Sequence, residues 1–164
     1  MFFVGTFELS IDTKNRLSIP YVIRSKLSPD QDGRSFYVLP GRREGTLDIY
    51  PDHAYERGKA SSPSADALSD DGFEWRQFFA SQTSLVDPDA QGRILIPERL
   101  LARADIDTKE KVVLIGVQDH MELWDQKKFE AFRNRLWPDY PRYLSEAARE
   151  RSELSSASPE TPDA

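Results

Sequence analysis

The chain states one motif twice. Residues 11–20 read Ile-Asp-Thr-Lys-Asn-Arg-Leu-Ser-Ile-Pro, and residues 88–97 read Pro-Asp-Ala-Gln-Gly-Arg-Ile-Leu-Ile-Pro. A shift of 77 positions superposes Asp12 on Asp89, Arg16 on Arg93, Ile19 on Ile96 and Pro20 on Pro97. Downstream, Thr46-Leu47-Asp48-Ile49-Tyr50 is echoed by His120-Met121-Glu122-Leu123-Trp124 at a shift of 74. Internal duplication constrains architecture before local propensity does, and two copies are too few for a solenoid. A fused, pseudo-two-fold unit is the reading that remains. The 164 residues amount to one domain's length. Halves of about 50–60 residues bury too little surface to stand alone, so the repeats should share a core.

Local patterns fill in each copy. Val4 to Ile11 alternates Phe7, Leu9 and Ile11 with Glu8 and Ser10, the period of a half-buried strand. A turn over Asp12–Asn15 and a strand over Arg16–Ile19 follow. Asn15 and Gly92 occupy the same turn position, and both residue types tolerate positive φ. Pro20 and Pro97 suit the first turn of short helices, predicted over Tyr21–Leu27 and Glu98–Ala104. Strands are expected over Ser35–Leu39 and Lys111–Ile115. Gly41 and Gly116 are expected to mark turns into strands Thr46–Tyr50 and Met121–Trp124. Asp125 should N-cap a helix running to about Leu136, with Phe129, Phe132 and Leu136 on one face. The fold class is therefore α+β. A first repeat is expected over 1–56 and a flexible linker over 57–72. A second repeat over 73–144 has a leading helix (Phe73–Ala80) and a trailing one, and a disordered tail fills 145–164.

Composition narrows the function. With no cysteine, a disulfide framework, a thiolate metal site and a cysteine nucleophile are excluded. No apolar run approaches the ~20 residues of a membrane span, and the N-terminus lacks the pattern of a secretion signal. A soluble, cytoplasmic protein is expected. The net charge is −6, yet residues 1–43 carry seven cations against four anions, a basic end on an acidic chain. His53 and His120 are the obvious candidate bases, expected as solvated surface residues. No metal-ligand cluster is evident, and Gly41–Gly45 (Gly-Arg-Arg-Glu-Gly) lacks the lysine and serine of a phosphate loop. Neither an enzyme nor a cofactor is predicted.

The strongest constellation is the twin Asp-x-x-x-Arg. In one reading Asp caps its turn and Arg pairs with it across the hairpin. In the other, two hairpin arginines face a DNA duplex, since guanidinium suits phosphate oxygens and the O6/N7 edge of guanine. Lys14 adds a cation where its counterpart is Gln91, and Arg24 and Lys26 strengthen the first copy. Arg42 and Arg43 read as solvated surface. Tyr50, Trp124, Phe129 and Phe132 read as core or subunit interface.

These motifs together resemble the MraZ family of bacterial transcription regulators. The likeness covers roughly Phe3 to Leu136. It rests on Phe3-x-Gly5, Asp12–Pro20, Leu47–Pro51, Asp89–Pro97, Val112–Gly116 and Met121–Asp125. The resemblance implies two AbrB-like swapped-hairpin halves fused into one chain, forming β-barrel units with short flanking helices. It implies a homo-oligomeric ring. It further implies a nucleoid-associated protein binding double-stranded DNA at promoter direct repeats of the division and cell-wall gene cluster. By the same likeness Asp12, Arg16, Asp89 and Arg93 are the DNA-binding motif positions, with Lys14, Arg24 and Lys26 beside them. Asn15 stands where the family's first motif has glycine, and the arginine-rich segment before the second copy retains only Arg76. An alternative is an oligomeric scaffold with weak or no specific DNA binding, which the acidic charge favours.

Overall fold

The computed structural model describes residues 2–60 and 70–156. Two compact units divide the chain, one over 1–128 and the other over 129–164. The first unit holds eight strands among its described residues: β1 (Thr6–Ser10), β2 (Arg16–Ser18), β3 (Phe36–Pro40), β4 (Thr46–Pro51), β5 (Ser84–Val86), β6 (Arg93–Leu95), β7 (Lys111–Val117) and β8 (His120–Asp125). Helices α1 (Tyr21–Arg24), α2 (Pro29–Asp32), α3 (Asp52–Ala60), α4 (Asp70–Gln82) and α5 (Glu98–Arg103) connect them. Helix α6 (Gln126–Leu136) follows, capped by Asp125, whose Oδ1 accepts the Lys128 backbone N–H at 3.0 Å. The fold is α+β with an antiparallel sheet.

Six strands form one sheet in the order β1-β7-β8-β4-β3-β5, and β2 pairs with β6 in a separate ribbon. Exchange each strand for its counterpart in the other repeat and the order reads the same from the opposite end. The first strand of each repeat pairs with the hairpin of the other: Leu9 faces Val112, and Val86 faces Phe36. At the centre β4 pairs with β8, with Asp48 opposite Glu122. These two are counterparts at the shift of 74, so the pseudo-two-fold relation passes through their pair. Neither repeat completes a sheet without the other.

One hydrophobic core serves both copies. Leu17, Ile19, Leu47 and Ile49 from the first are buried with Ile94, Ile96, Met121 and Leu123 from the second. The alternating pattern of β2 and β6 turns Leu17 and Ile94 inward, as period-2 geometry requires.

Several expectations need correction. Gly116 marks no turn; it lies inside β7, and a Cβ there would meet the backbone of Val4 at 2.5 Å. The N-terminal segment runs close by, bridging Phe3 to Gln118. The turn comes two residues later, where Gln118 has φ 61°. Of the expected linker, 57–60 belong to α3 and 70–72 to α4, and the rest lies outside the described residues. Helix α4 leaves Phe73, Trp75 and Phe78 exposed instead of burying an apolar face.

In the second unit the last part of α6 is followed by a 3-10 turn (Trp137–Asp139) and α7 (Tyr140–Ser156). A tail disordered from 145 is therefore incorrect as far as 156; residues 157–164 lie outside the described residues. The Glu, Ala, Arg and Leu content of α7 favours helix although residues 140–151 are exposed, and Arg142 pairs with Glu146 at 3.4 Å one turn on.

Candidate nucleic-acid interface

Both hairpin turns are built from the same bonds. The backbone N–H groups of Lys14 and Arg16 donate to Asp12 Oδ1, each at 2.9 Å. Arg16 Nε donates to Asp12 Oδ2 at 2.8 Å, with Nη2 at 2.7 Å from the same oxygen. In the second copy the N–H groups of Gln91 and Arg93 donate to Asp89 Oδ1 at 2.9 and 3.0 Å. Arg93 Nε and Nη2 lie 2.8 and 2.7 Å from Asp89 Oδ2. These bonds, led by the arginine side chain, hold both carboxyls down at about 2. Each carboxylate therefore shapes its loop and aims its arginine.

The left-handed position is met as the residue types require. Asn15 has φ 59° and Gly92 φ 76°. The two turns also hold each other: Ile19 N–H donates to Gly92 O at 3.0 Å, and Ile96 N–H donates to Asn15 O at 2.8 Å. Arg16 Nη1 lies 4.0 Å from Asp89 Oδ2 in the other copy.

Arg16 faces Leu95 and Ser18 faces Arg93 across the β2–β6 ribbon. With Leu17 and Ile94 turned inward, the outward face carries Arg16, Ser18, Arg93 and Leu95, the arginines on a diagonal. Their side chains are 30% and 26% exposed, so each is partly open to solvent. Lys14 and Lys26 are exposed.

Arg24 breaks the symmetry. Its Nε donates to Ile19 O at 3.0 Å, and its guanidinium covers the second copy's turn so closely that a Cβ on Gly92 would lie 2.5 Å from Cζ. The residue 77 positions on is Leu101, which is buried. A side chain at Gly92 would have to push the Arg24 guanidinium aside, an obstacle the Asn15 turn does not present. The structure brings Asp12, Lys14, Arg16, Arg24, Asp89 and Arg93 to the β2–β6 ribbon and the two turns at its opposite ends; Lys26 lies just beyond α1 on the exposed surface.

Sequence reasoning missed a second cluster. Asp48, His120 and Glu122 each place one donor atom within 4.8 Å of the others. His120, expected as solvated surface, has a side chain only 14% exposed. It stacks on Tyr50 with ring centroids 4.5 Å apart. Its Nδ1 is 2.8 Å from Asp119 Oδ1, and its Nε2 is 3.8 Å from Glu122 Oε1. Burial alone would lower its pKa, but hydrogen bonding to Glu122 and Asp119 raises it to about 9. Burial pushes the Asp48 carboxyl up to about 6. The His-x-Glu spacing was visible in the sequence; the strand register that adds Asp48 was not.

Comparison with known proteins gives the family. A family model described as "MraZ protein, putative antitoxin-like" matches residues 79–155. A protein of Mycoplasmopsis pulmonis named "Transcriptional regulator MraZ" is 31% identical over 132 residues, covering 80% of this chain and 84% of that protein. Proteins of the same name from Burkholderia cenocepacia and Finegoldia magna are each 32% identical, over 129 and 132 residues. These cover 79% and 80% of this chain, and 86% and 87% of theirs. Alignments of 129 residues or more in a chain of 164 take in part of the first copy, which the family model leaves outside its match. With its twin Asp–Arg turns and shared core, the chain belongs to the MraZ family.

Proposed function

We propose that the chain is a transcriptional regulator that binds double-stranded DNA sequence-specifically through the outward face of its β2–β6 ribbon. A two-stranded ribbon fits the major groove of B-DNA, where guanidinium reads guanine O6 and N7. The observation that carries this reading is the diagonal pair, Arg16 and Arg93, each oriented by an aspartate of its own turn. Arg16 and Arg93 contact base edges or phosphates, and Asp12 and Asp89 position them. Lys14, Arg24 and Lys26 contribute phosphate contacts from the first copy. The overall arrangement is a duplicated, AbrB-like swapped-hairpin unit, with one copy over 1–56 and the other over 73–144. Its targets are promoter direct repeats of the division and cell-wall gene cluster, and the protein works as a ring-shaped homo-oligomer associated with the nucleoid. A ring on tandem repeats compensates for the few cations per chain, because linked contacts raise effective concentration.

A second reading, an oligomeric scaffold with weak DNA binding, draws on the net charge of −6 and on the carboxylates that already neutralise both arginines. Comparing promoter with scrambled repeats separates the two. Binding to the chain's own upstream promoter repeats should weaken steeply with salt, and Lys14→Ala should reduce the slope of log K against log salt by about 1. Scrambled repeats that bind as tightly as the promoter would favour the scaffold.

A further inference from the structure

We propose that Asp48, His120 and Glu122 form a binding site for a divalent transition metal of the zinc class, placed on the pseudo-two-fold junction between β4 and β8. The three side chains offer one imidazole nitrogen and two carboxylate oxygens, a donor set suited to zinc, cobalt or manganese. They come from both repeats: Asp48 from the first, His120 and Glu122 from the second. A cation about 2.1 Å from each donor places donors roughly 3–3.5 Å apart. His120 Nε2 and Glu122 Oε1 are already 3.8 Å apart, and all three donors lie within 4.8 Å. Small side-chain rotations close the remaining gap.

The surroundings are those of a supported site. Asp119 Oδ1 sits 2.8 Å from His120 Nδ1. Accepting the Nδ1–H leaves Nε2 as the nitrogen that faces a cation, which binds by displacing the Nε2 proton, the carboxylate–histidine arrangement that orients metal-bound imidazoles. Trp124 Nε1 donates to Glu122 Oε2 at 2.9 Å, which leaves Oε1 as the coordinating oxygen. Tyr50 fixes the plane of the ring by stacking. The independent sign is Asp48. It is 7% exposed, and its buried Oδ1 has no hydrogen-bond partner, an expensive state for a carboxylate unless something compensates it. Asp48 also lines a cleft of about 500 Å³ with Leu39, Tyr50, Tyr55, Trp75 and Phe78.

The duplication explains why the site is single. Asp48 and Glu122 are counterparts, but the positions matching His120 and Asp119 are Thr46 and Gly45. A symmetric pair of carboxylates thus acquired one ligand and its supporting acid from the second copy alone.

The test is calorimetric titration of zinc into untagged, chelator-treated full-length chain, with cobalt as a spectroscopic substitute. One ion per chain should bind, cobalt should give visible ligand-field bands, and zinc should raise the thermal midpoint. Glu122→Gln should abolish the bands. Asp119→Asn, at an exposed supporting position, should weaken zinc binding about tenfold or more, and it keeps the test decisive where Glu122→Gln disturbs folding. His53→Ala should change nothing. Absence of stoichiometric binding, or zinc affinity that follows His53 and ignores Glu122 and Asp119, would overturn the proposal.

Discussion

The two hairpin turns and the β4–β8 junction tell opposite stories about duplication. The turns differ at three of their five positions, Thr13, Lys14 and Asn15 against Ala90, Gln91 and Gly92, yet keep the same bonds: Asp12 with Arg16 and Asp89 with Arg93 match to within 0.1 Å in every paired distance. At the junction the paired carboxylates remain, but the repeat counterparts of His120 and Asp119 are Thr46 and Gly45. Backbone geometry is preserved where one loop must fit against the other. Side-chain chemistry has diverged where the sheet register alone maintains the fold. Arg24 stands between these cases, since it belongs to the first copy and leans on the turn of the second.

The largest effect should come from the shared core. Leu17→Ala and Ile94→Ala remove counterpart side chains that are both 0% exposed, and each should cost about 2–5 kcal/mol in urea unfolding. Both should unfold the first unit in one transition. A variant that melted only its own repeat would break the claim of a common core.

A smaller effect should sharpen the asymmetry between the turns. Gly92→Asn forces Arg24 away and breaks its bond to Ile19 O, at about 1 kcal/mol. Asn15→Gly meets no such obstacle. In an Arg24→Ala background the penalty for Gly92→Asn should shrink, and a double-mutant cycle by chemical unfolding reads that coupling. A cycle with no coupling would mean that Arg24 does not shape the second turn.

The smallest effect lies at low pH. Asp12 and Asp89 are lowered from 3.8 to about 2, so the folded chain binds fewer protons than the unfolded one between those values. Their stabilising contribution is complete above about pH 4 and is lost as pH falls through about 2. Carboxyl-carbon NMR titration should place the two midpoints together. Midpoints near 3.8, or well apart, would contradict the equivalence of the turns.

Much of this was legible in the residues themselves. The turns were, because Asn15 and Gly92 answer a local demand for positive φ, and Asp125 was, because a cap acts within one helical turn. Strand pairing between repeats was not. No local pattern says that Leu9 joins Val112 while Val86 joins Phe36, since those partners lie far apart in sequence. The cluster at Asp48 inherits that blindness. Helix α7 was not legible for another reason: it has little to bury, and its helix rests on propensity and spaced charge pairs.

The direct test of the DNA-binding account is fluorescence anisotropy on duplexes carrying the upstream direct repeats, comparing wild type, Arg16→Ala and Arg93→Ala at several salt concentrations. Both substitutions should weaken promoter binding by about 1–3 kcal/mol, with Arg16→Ala the more severe because the first copy also carries Lys14 and Lys26. Affinity indifferent to both arginines, or equal for promoter and scrambled repeats, would contradict the account.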